Sequence, residues 1–158
     1  TSLQTGVIDA TEWVGPYNDM ALGLHEAAKY YYYPGWHEPG ATLELTVNKD
    51  SFEALPKDLQ KIVEIAARYA NQDMLDEYTA RNNAAMETLV NEHSVQFRKL
   101  PDDVLKVLRD SSEAYLKEQA AADPMFAKVY ANWSKFRKDV SAYHKISEQA
   151  YINTRDLK

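Results

Sequence analysis

The sequence contains no cysteine, which excludes disulfides, thiolate metal sites and cysteine nucleophiles. The compartment stays open, because cysteine-free chains occur on both sides of a membrane. The sequence also lacks a run of about 20 apolar residues, the length that crosses a bilayer as a helix. No block of lysine and arginine is present, and the formal net charge is −6. Because phosphate binding needs a basic face, we expect no nucleic acid among the partners.

Glycine is confined to one end of the chain: none follows residue 40, and the five are Gly6, Gly15, Gly23, Gly35 and Gly40. The residues after 40 have few low-energy routes to left-handed turns, so they are predicted to be mainly helical. Loops, and with them any binding chemistry, are predicted in the first part. The 158 residues, 45% of them hydrophobic, suffice for one domain with a buried core.

The chain begins at Thr1 without a methionine, a charged leader or an apolar signal segment. We therefore expect a processed or excised piece of a longer chain. Composition divides it into three predicted segments. Residues 1–47 combine strands and loops, residues 48–122 are helical with one short strand, and residues 123–158 form a long amphipathic helix.

Short elements are predicted in the first part of the chain. Gly6 is expected to end a helical turn as a left-handed C-cap. Strands are predicted over 8–13, 30–33 and 42–47, and a further one within 94–100. Helix formers fill the interval between the first two strands.

Long helices dominate the remainder. Pro56 opens an apolar pattern that keeps helical spacing as far as Leu89, and Pro101 opens a second helix. Asp123 is predicted to cap a terminal helix from Pro124 to about Asp156, which would be roughly 50 Å long at 1.5 Å per residue. One small domain cannot cover that length, so a second subunit is predicted to cover part of its apolar stripe.

Two glutamates are the candidate site residues. Glu12 precedes Trp13, Glu38 follows Trp36 and His37, and each acid stands beside a glycine or proline loop. Carboxylates at strand ends commonly face a cleft, and hard cations prefer several oxygen ligands. Glu12 and Glu38, with a backbone carbonyl, are therefore predicted to hold one sodium or calcium ion behind a tryptophan ring. Spacing alone leaves open the alternative of salt-bridged surface glutamates.

Other chemistry has less support in the sequence. His37 would point away from Glu38 in an alternating strand, and the other histidines are scattered, so we predict a structural histidine. There is no Gly-x-Ser-x-Gly motif and no glycine-rich phosphate loop. Two alternatives to binding remain. One is a hydrolase that uses Glu12 and Glu38 as an acid/base pair, and the other is a helical oligomeric scaffold.

The run from Leu3 to Trp13, LQTGVIDATEW, resembles a segment that DctP-type solute-binding proteins of TRAP transporters carry shortly after mid-chain. Residues 14–19 and 30–38 are similar to the TakP-like subgroup of α-keto acid receptors. The likeness covers essentially the whole chain, as a carboxy-terminal half, and is most specific in the first forty residues. It implies an α/β fold of the periplasmic binding protein type, mainly helical here, with a small sheet and a long carboxy-terminal helix.

The resemblance also implies a function. Such proteins are periplasmic and are not enzymes; two lobes close around a small organic acid, a 2-oxo or 2-hydroxy carboxylate, and deliver it to a sodium-driven membrane permease. A sodium or calcium ion bridges protein and solute. The matching positions are Glu12 as a carboxylate ligand, Trp13 through its backbone oxygen and ring, and Glu38 as a cation ligand or solute contact.

Two further expectations follow from the resemblance. The subgroup forms homodimers through an exchanged carboxy-terminal helix, which agrees with the surplus helix length. The family's solute-clamping arginine belongs to a segment that precedes this one, and no arginine here matches its motif. We therefore expect this chain alone to bind solute poorly or not at all.

Overall fold

Helices make up most of the chain, as predicted, together with a small sheet. The computed structural model describes residues 1–155 and 157. Within these residues the elements follow in the order α1 (Pro16–Ala21), α2 (Leu24–Ala27), β1 (Tyr30–Tyr33), α3 (Lys49–Glu53), α4 (Lys57–Asn91), β2 (Gln96–Lys99), α5 (Asp102–Ala122), α6 (Pro124–Ile146) and α7 (Glu148–Thr154).

The chain divides after Leu100 into two compact units, Thr1–Leu100 and Pro101–Lys158. The first unit contains α1 to α4 and both strands, and the second contains α5 to α7. The division into 1–47, 48–122 and 123–158 was inferred from composition, and it stays a prediction. No helix in the described part of the chain combines the length and the apolar character that a membrane crossing needs.

The first unit is organised around α4, a single helix of 35 residues that the periodicity predicted. Helix α1 packs against it. Near its start, the buried Gln60 donates from Nε2 to the carbonyl of Leu55 at 2.8 Å, which gives a partner to a backbone acceptor beyond the end of α3. The core consists of three residues of α4 and one that follows it: Met74, Ala85, Leu89 and Val95.

The two strands form a parallel pair, and both were predicted. Tyr31 lies opposite Phe97 in the register, and their rings stack with centroids 4.7 Å apart. The guanidinium of Arg98 lies 3.8 Å from the ring centroid of Tyr30. These aromatic contacts stabilise a sheet that has only one ladder of hydrogen bonds.

Two predicted strands do not form: residues 8–13 and 42–47 lack strand structure. A strand needs a neighbour for its N–H and C=O groups, and in the described residues β1 and β2 pair only with each other. The N–H of Leu43 donates instead to Oδ1 of Asn71 at 3.0 Å, and Leu43 and Leu45 remain exposed. Alternation alone therefore gave a wrong prediction.

The predicted caps are confirmed. Gly6 has a φ of +72°, and the N–H of Val7 donates to the carbonyl of Ser2 at 3.0 Å, as in a Schellman turn. In the second unit, Oδ1 of Asp123 accepts the N–H of Phe126 at 2.8 Å and so caps α6.

The predicted terminal helix is divided in two. Helix α6 has 23 residues, which is roughly 35 Å, and packs against α5. Ser147 leaves the helical conformation with φ −110° and ψ −112°, and its hydroxyl donates to the carbonyl of Tyr143 at 3.0 Å. A serine that bonds one turn back favours a bend, which explains why α7 begins separately. The predicted end at Asp156 lies outside the described residues.

A left-handed residue occurs where the sequence offers no glycine. Ser94, between α4 and β2, has a φ of +56°. This turn lets the N–H of Val95 donate to the carbonyl of Leu89 at 2.9 Å, so the chain reverses directly onto the core. An L-residue in this conformation costs about 1–2 kcal/mol.

We predict that Ser94→Gly raises the free energy of unfolding by about 0.5–1 kcal/mol, because glycine removes the strain while its greater freedom in the unfolded chain offsets part of the gain. The matched control is Ala80→Gly on the exposed side of α4, which should lower the free energy of unfolding by about 0.5–1 kcal/mol. Urea unfolding curves measure both. Destabilisation by Ser94→Gly would show that the turn is not strained.

Candidate functional site

A cavity of about 940 Å³ lies in the first unit and is lined by the loop after Gly6, by β1 and by the loop that follows β1. Its volume suits a small-molecule site. Glu12, Trp13 and Glu38, the three residues predicted from the sequence, all line it. One lysine of the described residues, Lys29, lines the cavity, and no arginine of the described residues does.

Glu12 forms a contact that the sequence reasoning missed. Its Oε2 atom lies 2.9 Å from Nε2 of His37, and the two side chains are 59% and 43% exposed. Residues 34–40 are not a strand, so the alternation that pointed His37 away from the site does not apply. This contact connects the loop after Gly6 with the loop that follows β1, and it does so at Glu12, one of the predicted cation ligands.

Glu38 lies in a tight loop after β1 and not at the strand's last residue. The N–H of Leu100 donates to the carbonyl of Tyr33 at 2.7 Å, which fixes the end of the strand. The Tyr33–Pro34 peptide that follows is cis. A Cβ on Gly35 would lie 3.1 Å from the carbonyl oxygen of Glu38, so the loop folds back closely enough to favour glycine there.

Asp19 joins the other loop to the sheet. It is only 8% exposed; its Oδ1 accepts the N–H of Val14 at 3.2 Å, and its Oδ2 accepts the hydroxyl of Tyr31. A proline at the first position of α1 and an acid in its first turn favour this start, and the reach back to a preceding N–H resembles a capping box. Burial, and then the hydrogen bond to Asp19, raise the pKa of Tyr31, so its hydroxyl stays a donor.

The chain just after the candidate ligands is also attached to α4. The N–H of Tyr17 donates to Oδ1 of Asn82 at 2.9 Å, and a Cβ on Gly15 would lie 3.1 Å from the same oxygen. The rings of Tyr17 and Tyr78 meet edge to face with centroids 6.4 Å apart. The Glu12–Trp13 segment is therefore held at its carboxyl end by both α4 and β1.

The donor set suits a hard cation in kind but not in number. Glu12 and Glu38 offer carboxylates and Trp13 offers a carbonyl, the oxygen ligands that calcium prefers, and calcium takes about 6–8 of them. The part of the chain that the structure describes contains no group of three or more His, Cys, Asp or Glu side chains placed to hold a metal. This chain can thus supply part of a coordination sphere. Coordination by the three residues stays a prediction.

Sequence reasoning also missed Asp19 and Tyr31. The signal for Asp19 was present, because an acid in the first turn after Gly15-Pro16 is a typical helix-start pattern. Tyr31 is one of four consecutive tyrosines, and alternation alone could not say which of them turns inward.

Comparison with known proteins gives a consistent result. Residues 1–123 match the DctP family, described as bacterial extracellular solute-binding protein, family 7. The monocarboxylate 2-oxoacid-binding periplasmic protein of Nostoc sp. (strain PCC 7120) is 40% identical over 152 residues, which are 96% of this chain and 42% of that protein.

Solved structures agree with the sequence match. A TRAP periplasmic solute-binding protein from Colwellia psychrerythraea, with bound calcium and pyruvate, superposes with a TM-score of 0.90 at 36% identity, covering 97% of this chain and 47% of that one. One from Pseudoalteromonas atlantica, with sodium and pyruvate, gives 0.89 at 36%, covering 99% and 47%. One from Bordetella bronchiseptica, a dimer with calcium and picolinate, gives 0.90 at 33%, covering 98% and 46%.

The chain spans less than half the length of each of these relatives. Within that span, the likeness extends over nearly every residue and includes the loops that carry the candidate ligands. The resemblance seen in the first forty residues is thereby confirmed. The chain belongs to the DctP family, the bacterial extracellular solute-binding proteins of family 7.

Proposed function

We propose that this chain contributes the cation-binding wall of a periplasmic receptor that captures a small 2-oxo or 2-hydroxy carboxylate for a TRAP permease, without catalysis. One observation carries the proposal: Glu12, Trp13 and Glu38 line a single cavity. The relatives support it, since similar solved proteins hold pyruvate with calcium or with sodium.

Electrostatics explains why a cation is needed. An anionic solute that approaches either glutamate to 4 Å meets a repulsion of about 4 kcal/mol at an effective dielectric constant of 20. No arginine of the described residues lines the cavity, and the Nζ atom of Lys29, which does line it, donates to the carbonyl of His25 at 3.3 Å. A sodium or calcium ion between the glutamates and the solute converts the repulsion into two attractive contacts.

The incomplete donor set links cation and solute. Because the described residues hold no three-carboxylate or three-histidine cluster, the ion takes further oxygens from the solute, from water and from other parts of the receptor. Each partner then completes the other's site. By linkage, the solute raises the affinity for the cation by the same factor as the cation raises the affinity for the solute.

A homodimer is the second part of the proposal. Four of the exposed apolar side chains of α6 follow a spacing of four and seven residues, which places them on one stripe: Met125, Val129, Phe136 and Tyr143. Three of the four partly buried residues of α6 lie on another stripe: Ala127, Tyr130 and Ser134. We propose that a second copy covers the exposed stripe. The similar Bordetella bronchiseptica protein is a dimer.

We predict that pyruvate binding depends on the cation and on both glutamates. In a protein of the relatives' full length that carries this sequence, Glu12→Gln and Glu38→Gln should each weaken pyruvate binding at least about tenfold in calcium or sodium, because a charged ligand of the ion is lost. Glu44→Gln, a change outside the cavity, is the matched control and should leave the affinity unchanged. Isothermal titration calorimetry measures all three. Equal heats with and without a cation would show that pyruvate binding does not need the cation. Turnover of a glycoside would instead support an acid/base hydrolase.

We predict that Phe136→Glu shifts the chain from dimer to monomer, because it places a charge in the apolar stripe of α6. Ala131→Glu adds the same charge on another exposed side of α6 and should leave the dimer intact. Light scattering after size exclusion gives the mass of each variant. A wild-type chain that is a monomer at every concentration would contradict the dimer.

A further inference from the structure

We propose that Asp19 and Tyr31 are positioning residues that aim the backbone carbonyl of Trp13 at the bound cation. The inference rests on the proposed function, in which that carbonyl is one of the cation's ligands. It adds two residues that also line the cavity, and it assigns them an effect through one peptide unit instead of through contact with the cation or the solute.

The geometry of that peptide unit is the first step. Oδ1 of Asp19 accepts the N–H of Val14 at 3.2 Å. The peptide between Trp13 and Val14 is trans, so its N–H and its C=O point in opposite directions. Once Asp19 holds the N–H, the carbonyl of Trp13 must point away from Asp19. Rotation of this peptide would break the hydrogen bond.

The second step is the rigidity of Asp19 itself. Its own N–H donates to the carbonyl of Gly15 at 2.9 Å, and its second carboxylate oxygen accepts the hydroxyl of Tyr31. Tyr31 is fixed in turn by the ladder of β1 and by stacking on Phe97. A buried carboxylate that accepts two hydrogen bonds keeps one orientation. Through its bond to the N–H of Val14 it also fixes the orientation of the Trp13–Val14 peptide.

The third step separates position from charge. A negative carboxylate near the cavity would also attract a cation from a distance. Asparagine keeps an oxygen for Val14 and an N–H₂ group for Tyr31, but it removes the charge. Positioning therefore predicts that Asp19→Asn binds the cation like the wild type, whereas attraction by charge predicts that it binds as weakly as Asp19→Ala.

The test uses a protein of the relatives' full length that carries this sequence, in which only the 158-residue segment has ¹³C on tryptophan carbonyls and ¹⁵N on valine nitrogens. Trp13–Val14 is the only Trp–Val pair in the sequence, so an HNCO spectrum contains one cross-peak. Without cation, the amide proton shift of Val14 reports the hydrogen bond to Asp19. With calcium added in the presence of pyruvate, the carbonyl shift of Trp13 reports coordination and gives the affinity.

We expect the following results. Calcium moves the carbonyl shift in the wild type and in Asp19→Asn with affinities that agree within a factor of about three. Asp19→Ala moves the Val14 amide proton upfield before calcium is added and weakens calcium binding roughly 10–100-fold, the usual effect of losing an outer partner of a metal ligand. Tyr31→Phe gives the same change to a smaller degree. Asp9→Ala removes another cavity-lining acid and should leave the Val14 amide unchanged.

Failure of the inference can be told apart from failure of the proposed function. If Asp19→Ala keeps the wild-type calcium affinity while Glu12→Gln loses it, positioning is wrong and the cation site stands. If calcium does not move the carbonyl shift in the wild type, both are wrong. If Asp19→Ala does not fold, Tyr31→Phe decides, and an unchanged calcium affinity there overturns the inference.

Discussion

The buried carboxylate of Asp19 is the interaction on which the candidate site depends. It ties the loop of Glu12 and Trp13 to the hydroxyl of Tyr31 in β1, while Tyr17, just ahead of it, is bonded to Asn82 of α4. A loop without regular structure thereby obtains fixed points on a helix and on a sheet. The carboxylate of Asp19 is buried, and leaving it unpaired would cost about 1–3 kcal/mol, which favours both of its hydrogen bonds.

The sequence predicted local features well and non-local ones poorly. Caps at Gly6 and Asp123, and the long helix α4, follow from neighbouring residues and were confirmed. The strand over 42–47 was wrong, because alternation cannot say whether a partner strand exists. The same holds for the candidate site. The motif identified Glu12 and Glu38, which line the cavity. The contact of Glu12 with His37 joins loops 25 residues apart, and no spacing rule predicts it.

The charges of the cavity fit a receptor that depends on an added positive ion. This chain supplies carboxylate and carbonyl oxygens and, among its described residues, neither an arginine in the cavity nor a complete metal cluster. In the account proposed above, solute and cation are therefore held together or not at all. Such coupling lets a receptor bind an organic acid beside a segment of net charge −6 without a long-range basic field.

The most direct measurement is a crystal structure of a protein of the relatives' full length that carries this sequence, grown with calcium and pyruvate. The account predicts an anomalous calcium peak within about 2.3–2.6 Å of a carboxylate oxygen of Glu12 and of the carbonyl oxygen of Trp13, with pyruvate on the same ion. A pyruvate bound in the cavity with no cation beside it, or a calcium ion that contacts neither Glu12 nor Trp13, would contradict the account.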